Sequence, residues 1–329
     1  MTSPESAAAY RASESLVTVI VPGYNVAAYI DEALESLRAQ TLTRWRAILV
    51  DDASTDETGE RFAVAAASDP RFTLVRHPEQ RGLGAARNSA LDLVTSPFIA
   101  FLDADDVMTP GALELLVGAL TASGSDFVVG AYSRLRPDAG GAYSVSPVQP
   151  WVSASTDPAR SGTTLAAHPE VVGNIVAWSK LSRADVWRDL RFPEGRLYED
   201  QVVAQQMYTR ARAFDVVPDV VVHWRVRADD SSITQREAEL SVLRDCLDQM
   251  VAGIAVLENA SQLTAAHARS RQILRMDVPR LAAIASTHPD AHYRRALGDF
   301  TRAVWGREPD ARPELDDEAS RAVSAALLW

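Results

Sequence analysis

The nine residues Phe98–Asp106, with the sequence FIAFLDADD, decide the fold of this protein. Their apolar half predicts a buried β-strand, which ends abruptly in Asp103, Asp105 and Asp106. Side chains two positions apart share a face of an extended backbone, so Asp103 and Asp105 point the same way. Grouped carboxylates repel one another unless a cation or a basic partner lies among them, and oxygen ligands suit Mg²⁺ or Mn²⁺. The alternative is that these residues only end the strand and begin a turn.

The composition is that of an ordinary water-soluble protein of one or two domains: 329 residues, 47% hydrophobic and 23% charged. A net charge of −11 argues against nucleic acid as a partner, because phosphate backbones are bound through clustered Lys and Arg. The single cysteine, Cys246, excludes an intrachain disulfide and fits a reducing cytosol. Neither a membrane span nor a signal peptide is recognisable. We therefore predict a cytoplasmic protein whose residues 1–15 form a disordered tail.

Strand and helix patterns alternate strictly over residues 16–133. Strands are predicted at 16–21, 46–50, 72–75, 98–102 and 126–132, with amphipathic helices between them. Asn25 and Thr109 are predicted helix N-caps, and Ser54 to Glu57 has the pattern of a capping box. This alternation predicts an α/β fold with a mostly parallel sheet flanked by helices, which binds ligands outside the carboxyl ends of its strands.

The remainder of the chain is less regular. Residues 134–165 contain four prolines and predict a long loop, with a lid or binding segment as its role. Residues 134–235 as a whole are predicted to form this loop and an acceptor-binding and catalytic half of the protein. That half includes a helix at 201–212 and a strand at 216–225. Residues 236–329 predict a purely helical region with a break near Pro279.

Several familiar site types are excluded. The chain has no P-loop, no nucleophile elbow and no zinc-type Cys/His spacing. The segment Gly82–Gly84 resembles part of a dinucleotide fingerprint, but Arg87 stands at the third glycine and the segment does not follow the first strand. A carboxylate-rich crevice suited to a metal and a phosphorylated ligand is what remains.

Four motifs, in this order and at these spacings, resemble glycosyltransferase family 2: VIVPGYN at 19–25, VDDASTD at 50–56, GLGAARN at 82–88 and FLDADD at 101–106. The resemblance covers about residues 16–130 and extends more weakly through Glu199-Asp200 to residues 232–234. It implies the GT-A fold, a nucleotide-diphosphate sugar (a UDP-sugar by preference) as donor, and a divalent cation, Mn²⁺ or Mg²⁺. It also implies inverting transfer of the sugar to a hydroxyl of a glycan, glycolipid, cell-wall polymer or natural product.

The resemblance assigns roles residue by residue. It implies a metal site at Asp105, with Asp103 beside it, and a general base at Asp200 in preference to its neighbour Glu199. Contacts with the nucleotide sugar are implied for Pro22, Tyr24, Asn25, Asp52, Arg87, Asp103 and Arg225. Among these, Asp52 would accept from the uracil edge of a UDP-sugar, and Arg87 would reach the diphosphate or the sugar. The resemblance implies more weakly that His223 and Arg225 close over the diphosphate. Plain structural roles are the alternatives: a packed turn for Tyr24, helix N-terminal charges for Asp52 and Glu199, a salt bridge for Arg87 and strand packing for His223.

Two other functions stay open. A metal-dependent nucleotidyl- or phosphotransferase would be expected to carry a basic phosphate loop after the first strand, where Pro22–Asn25 is uncharged. An inactive sugar-nucleotide-binding scaffold need not keep both Asp105 and Asp200. An arginine-rich stretch between residues 267 and 302 fits an anionic polymer, a lipid-linked acceptor or the inner membrane face, and equally a solvated helix face or an oligomer interface.

Overall fold

The computed structural model describes residues 15–138, 140–229, 232–307 and 315–329. The predicted tail, apart from Ser15, lies outside the described residues. The chain divides into two compact units. The first contains the residues up to Thr164 together with Val176–Asp200 and Ala211–Val226, and the second contains Leu165–Ile175, Gln201–Arg210 and Arg227–Trp329.

The first unit is built on a ten-stranded sheet. Its strands are β1 (Val17–Gly23), β2 (Trp45–Asp51), β3 (Phe72–Arg76), β4 (Phe98–Phe101), β5 (Val107–Met108), β6 (Phe127–Pro137), β7 (Tyr143–Val145), β8 (Arg160–Thr163), β9 (Lys180–Arg183) and β10 (Phe214–Arg225). Their order is β3-β2-β1-β4-β9-β6-β10-β5, with β7 beside β6 and β8 beside β10. The helices that accompany them are α1 (Ile30–Arg38), α2 (Thr58–Ser68), α3 (Leu83–Leu91), α4 (Ala112–Ser123) and α5 (Pro150–Thr156).

The parallel arrangement predicted from the alternating pattern is confirmed for β1 to β4. Beyond β4 the sheet is mixed, because β9 runs antiparallel to both β4 and β6, while β10 is parallel to β6. The core strands are apolar and fully buried, as expected when helices cover both faces. The carboxyl ends of β1, β2 and β4 thus lie side by side.

Three predicted helix starts are wrong, and the reason is the same each time. Helix α1 begins at Ile30, α2 at Thr58 and α4 at Ala112, each without a side-chain cap. Tertiary partners have taken the predicted capping groups. Asn25 and Ser54 hydrogen-bond across the strand ends, and the hydroxyl of Thr109 donates to the carbonyl of Val220 at 2.8 Å.

The predicted loop over residues 134–165 is only partly irregular. It contains the end of β6 followed by β7, α5 and β8. Strand β7 pairs with β6, and β8 pairs with β10, so the segment extends the sheet. The prolines do not prevent this, since Pro150 occupies the first turn of α5, where its missing N–H costs nothing.

The second unit is helical, as predicted. Besides residues of α6 (Asp200–Arg210), it contains α7 (Leu240–Asn259), α8 (Leu263–Gln272), α9 (Val278–Thr287), α10 (Ala291–Trp305) and α11 (Asp317–Leu327). A π-helical turn, Ile273–Asp277, precedes α9 and marks the predicted break near Pro279. No helix in the described part of the chain has the length and hydrophobicity to span a bilayer.

The arginine-rich stretch of this unit is largely occupied by internal contacts. Arg269 is buried and donates to Gln201 and Gln272, and Arg280 pairs with Glu237. Arg294 and Arg302 donate to backbone carbonyls of their own helical region. These contacts favour the structural explanation for the arginines over a binding surface for polyanions.

Candidate active site

The loops that follow β1 and β2 are fastened to each other. The amide N–H of Asn25 donates to Ser54 Oγ at 3.2 Å, and Asn25 Oδ1 accepts from the amide of Thr55 at 2.8 Å. Asn25 and Ala53 both have left-handed backbones, with φ of 51° and 60°. Such conformations are costly for non-glycine residues and concentrate at functional sites. The ends of the two strands are therefore held in one fixed arrangement.

Asp52 fixes the approach to α3. Its side chain is buried, and its Oδ1 atom lies 2.6 Å from His77 Nδ1 and accepts from the amide of Arg81 at 3.0 Å. Its Oδ2 atom accepts from the amide of Gly82 at 2.7 Å. Gly82 has a φ of 90°, which glycine adopts without strain. Asp52 thus orders the turn before α3, and its predicted contact with a uracil edge stays a prediction.

The motif GLGAARN builds α3 against the segment at residues 192–194. A Cβ atom on Gly84 would lie 2.3 Å from the carbonyl oxygen of Pro193, so only glycine fits there. The side chain of Asn88 donates to the carbonyl of Phe192 at 2.9 Å and accepts from its amide at 2.9 Å. These contacts fix the face of α3 that presents Arg87.

Arg87 is the centre of the site. Its side chain is fully buried, and its guanidinium donates to Asp200 Oδ1 at 2.6 Å, to Asp103 Oδ1 at 2.7 Å and to Glu199. Burial disfavours the charged guanidinium, but the three carboxylates outweigh burial and raise the pKa of Arg87. Arg87 therefore joins the end of β4 to the Glu199-Asp200 pair. Its predicted contact with the diphosphate stays a prediction.

The two adjacent carboxyl groups have different surroundings. Glu199 has a side chain only 4% exposed, and burial raises its pKa to about 8, opposed by Arg87 and reinforced by Asp200. Asp200 has a side chain 15% exposed, and its Oδ2 accepts from the amide of Ala177 at 3.1 Å. Tyr198, just before the pair, has a left-handed backbone with a φ of 58°. Asp200 is thus the more accessible of the two.

The acidic turn after β4, residues 103–106, is held in place by Arg225, the last residue of β10. The amide of Arg225 donates to Asp106 Oδ1 at 2.8 Å, and its Nε donates to the carbonyl of Asp105 at 2.7 Å. The guanidinium pairs with Glu32 and lies against the rings of Tyr29 and Tyr143. Arg225 thus shapes the turn that carries Asp105, and its predicted contact with the diphosphate stays a prediction.

The turn fits a divalent cation. Burial, then the like charges of Asp105 and Asp103, raise the pKa of Asp106 well above its ordinary value. Its buried Oδ2 atom accepts no hydrogen bond from any described residue. The described residues include no group of three or more His, Cys, Asp or Glu side chains arranged to hold a metal. A site of one or two carboxylates completed by phosphate oxygens is, however, the usual arrangement for Mg²⁺ with nucleotides.

The other predicted contacts lie at the edge of the site. Tyr24 is exposed and Pro22 is buried within β1. His223 Nδ1 lies 2.7 Å from Ser133 Oγ, and burial lowers the pKa of His223.

Lys180 was not predicted from the sequence as a residue of the site. Burial lowers its pKa to about 7, and the nearby Asp200 carboxylate partly opposes this shift. The available signal was its place as the only lysine, within the run Ala177–Leu181.

Comparison with known proteins agrees with this arrangement. The family model described as "Glycosyl transferase family 2" matches residues 18–157. Glycosyltransferase GlyA of Streptococcus pneumoniae serotype 4 is 28% identical over 241 residues, which cover 73% of this chain and 34% of GlyA. The Escherichia coli protein WfgD, named as a UDP-Glc:alpha-D-GlcNAc-diphosphoundecaprenol beta-1,3-glucosyltransferase, is 36% identical over 121 residues, 37% of this chain and 47% of WfgD.

A solved structure matches over most of the chain. Residues 1–349 of S. aureus TarS, in complex with UDP-GlcNAc, superpose with a TM-score of 0.72 at 21% identity, covering 95% of this chain and 91% of that one. This likeness shows the GT-A fold. The chain spans about a third of GlyA and about half of WfgD. The four motifs lie within residues 18–157, which form a glycosyltransferase family 2 domain.

Proposed function

We propose that this protein is an inverting glycosyltransferase that moves a sugar from a UDP-sugar to an acceptor hydroxyl. The observation that carries the proposal is the contact of one guanidinium, that of Arg87, with two carboxylates. One is Asp103, just after β4, and the other is Asp200. WfgD is named for UDP-Glc and TarS was solved with UDP-GlcNAc, which supports uridine as the nucleotide. A glycan, glycolipid or cell-wall polymer would supply the hydroxyl.

Direct displacement needs a base beside the acceptor, and Asp200 suits that role. As the acceptor oxygen bonds to the anomeric carbon, the carbon–phosphate oxygen bond breaks, and the hydroxyl proton passes to the Asp200 carboxylate. Among the described residues, Arg87 donates to one Asp200 oxygen and the amide of Ala177 to the other, whereas a carboxylate has about four acceptor positions. Room for a hydroxyl donor therefore remains.

The donor side is assigned to the strand ends. Tyr24 offers an exposed ring face to the base, and Asn25 and Asp52 keep the neighbouring loops in place. Asp105, supported by Asp103, would hold a divalent cation, which neutralises charge on the departing diphosphate.

The test is a panel of UDP-, GDP- and TDP-sugars incubated with Mn²⁺, in which slow hydrolysis of each donor is measured. We expect hydrolysis of at least one UDP-sugar by the wild-type protein and loss of most of it in Asp105→Ala. Asp185→Ala is the matched control, since Asp185 is an exposed carboxylate outside the site. The proposal fails if no sugar nucleotide binds or is hydrolysed, or if both variants behave like the wild type.

A further inference from the structure

Lys180 is buried at the start of β9, between the central strands β4 and β6. Lysine is almost never fully buried unless its charge has a partner. Its Nζ donates to the carbonyl oxygen of Val176 at 2.6 Å, and its amide donates to the carbonyl of Ala177 at 3.2 Å. Packing alone would favour an apolar side chain at this buried position, so the presence of a lysine points to a role in function.

One contact of Lys180 leads to Asp200 through a single peptide group. The carbonyl of Val176 and the N–H of Ala177 belong to the same peptide unit. Lys180 Nζ donates to its oxygen, and its N–H donates to Asp200 Oδ2 at 3.1 Å. A cation bonded to the oxygen of an amide polarises the group and strengthens its N–H as a donor. The ammonium thus acts on the carboxylate through a continuous chain of two hydrogen bonds.

We propose that Lys180 is a positioning residue for the Asp200 carboxylate, which it orients through the Val176–Ala177 peptide. The inference rests on the proposed function, in which Asp200 is the base. Arg87 donates to the other oxygen, Oδ1, so one cation contacts the carboxylate directly and the other acts on it through the peptide. The remaining oxygen lone pairs then face the acceptor in one orientation.

The charges around Asp200 set the sign of the pH dependence. Besides Lys180, the titratable groups that face it are Arg87 from α3, Glu199 from its own segment and Asp103 after β4, which shares Arg87. A nearby cation favours the ionised form of a carboxylate, so replacing the ammonium by a neutral side chain removes that effect from the proposed base. The acid limb of the rate profile then moves to higher pH.

The first experiment compares Lys180→Met with Leu181→Met, a volume-conserving change at the next buried residue of β9. We expect Lys180→Met to lower kcat about 10- to 100-fold, the scale of a hydrogen bond to a charged group, with the donor KM unchanged. Its acid limb moves to higher pH, whereas Leu181→Met keeps the wild-type profile. An unchanged kcat, a fall without movement of the limb, or loss of UDP binding each overturns the proposal.

A second experiment is independent of activity. Because the chain has one lysine, labelling with [ε-¹³C]lysine gives a single side-chain resonance, which titrates at about pH 7 in the wild-type protein. In Asp200→Asn the midpoint falls, because the carboxylate that favours the ammonium is gone, and in Asp185→Asn it stays. A midpoint unmoved in Asp200→Asn refutes the link. If the midpoint moves but no sugar nucleotide is used, the proposed function fails and the link between the two residues stands.

Discussion

The two carboxylate groups of the site differ in how their negative charge is balanced. Glu199 and Asp200 lie against the Arg87 guanidinium, and burial raises the pKa of Glu199 to about 8. In the acidic turn, Arg225 does not offset the burial and like charge that raise the pKa of Asp106. The first group has Arg87 as its cation, and the second is the place where we propose that a divalent cation binds.

This difference separates the roles of the residues. The proposed role of Asp200 as base needs an accessible oxygen held in a fixed direction, and both oxygens of Asp200 accept hydrogen bonds that orient the side chain. The proposed metal site needs oxygen ligands, and the turn carries the carboxyl groups of Asp105 and of the buried Asp106. Each variant below alters one group and leaves the other intact.

The largest effect is expected for Asp200→Asn. The amide keeps the shape and the contact with Ala177 but accepts no proton, so sugar transfer should fall about 10³-fold, the usual scale for loss of a general base. UDP binding, measured by calorimetry, should stay within about threefold of the wild-type value, less than 1 kcal/mol. Loss of UDP binding in Asp200→Asn would instead place this residue on the donor side.

The acidic turn is tested by metal-linked stability. Mn²⁺ with UDP should stabilise the wild-type protein by about 2.7 kcal/mol at a hundredfold excess over the dissociation constant. Asp105→Asn should lose most of this gain in a thermal unfolding assay, and Asp185→Asn, which changes an exposed carboxylate, should keep it. Equal stabilisation of all three proteins would mean that the turn does not hold the cation.

The strand ends of the site were predictable from the sequence because the signal is local. A buried apolar run that stops at carboxylates, as at Phe98–Asp106, places those groups at the end of a strand whatever the rest of the chain does. The parallel order of β1 to β4 followed from the alternating pattern for the same reason. Strand β9 carried no such pattern, and its antiparallel place between β4 and β6 depends on long-range packing.

The partners of the charged residues were not predictable. Nothing near Arg87 in the sequence indicates that it contacts Asp103, Glu199 and Asp200 at once. Local rules also failed where a tertiary contact competed with them, as when Asn25 bonded to Thr55 instead of capping a helix. Lys180 stood out only in composition, and its link to Asp200 runs through a peptide group that no sequence motif encodes.

The smallest effect on activity is expected for Glu199→Gln, the neighbour of the base. At pH 7 a protonated Glu199 and a glutamine are both neutral, so kcat should stay within about threefold, less than 1 kcal/mol of barrier. Stability should respond more clearly. A carboxyl group whose pKa rises from 4.5 to about 8 on folding stabilises the protein fully below pH 4.5, and this contribution is lost as the pH rises through 8.

The unfolding free energy of the wild-type protein should therefore fall between pH 5 and 8 by up to about 1.4 kcal/mol per pH unit relative to Glu199→Gln. Denaturant unfolding of both proteins at several pH values in this window measures the difference directly. If the unfolding free energies of the two proteins change with pH in parallel, Glu199 is ionised in the folded protein beside Arg87. A loss of activity as large as that of Asp200→Asn would make Glu199 the base, and the contrast between the adjacent carboxyl groups would be reversed.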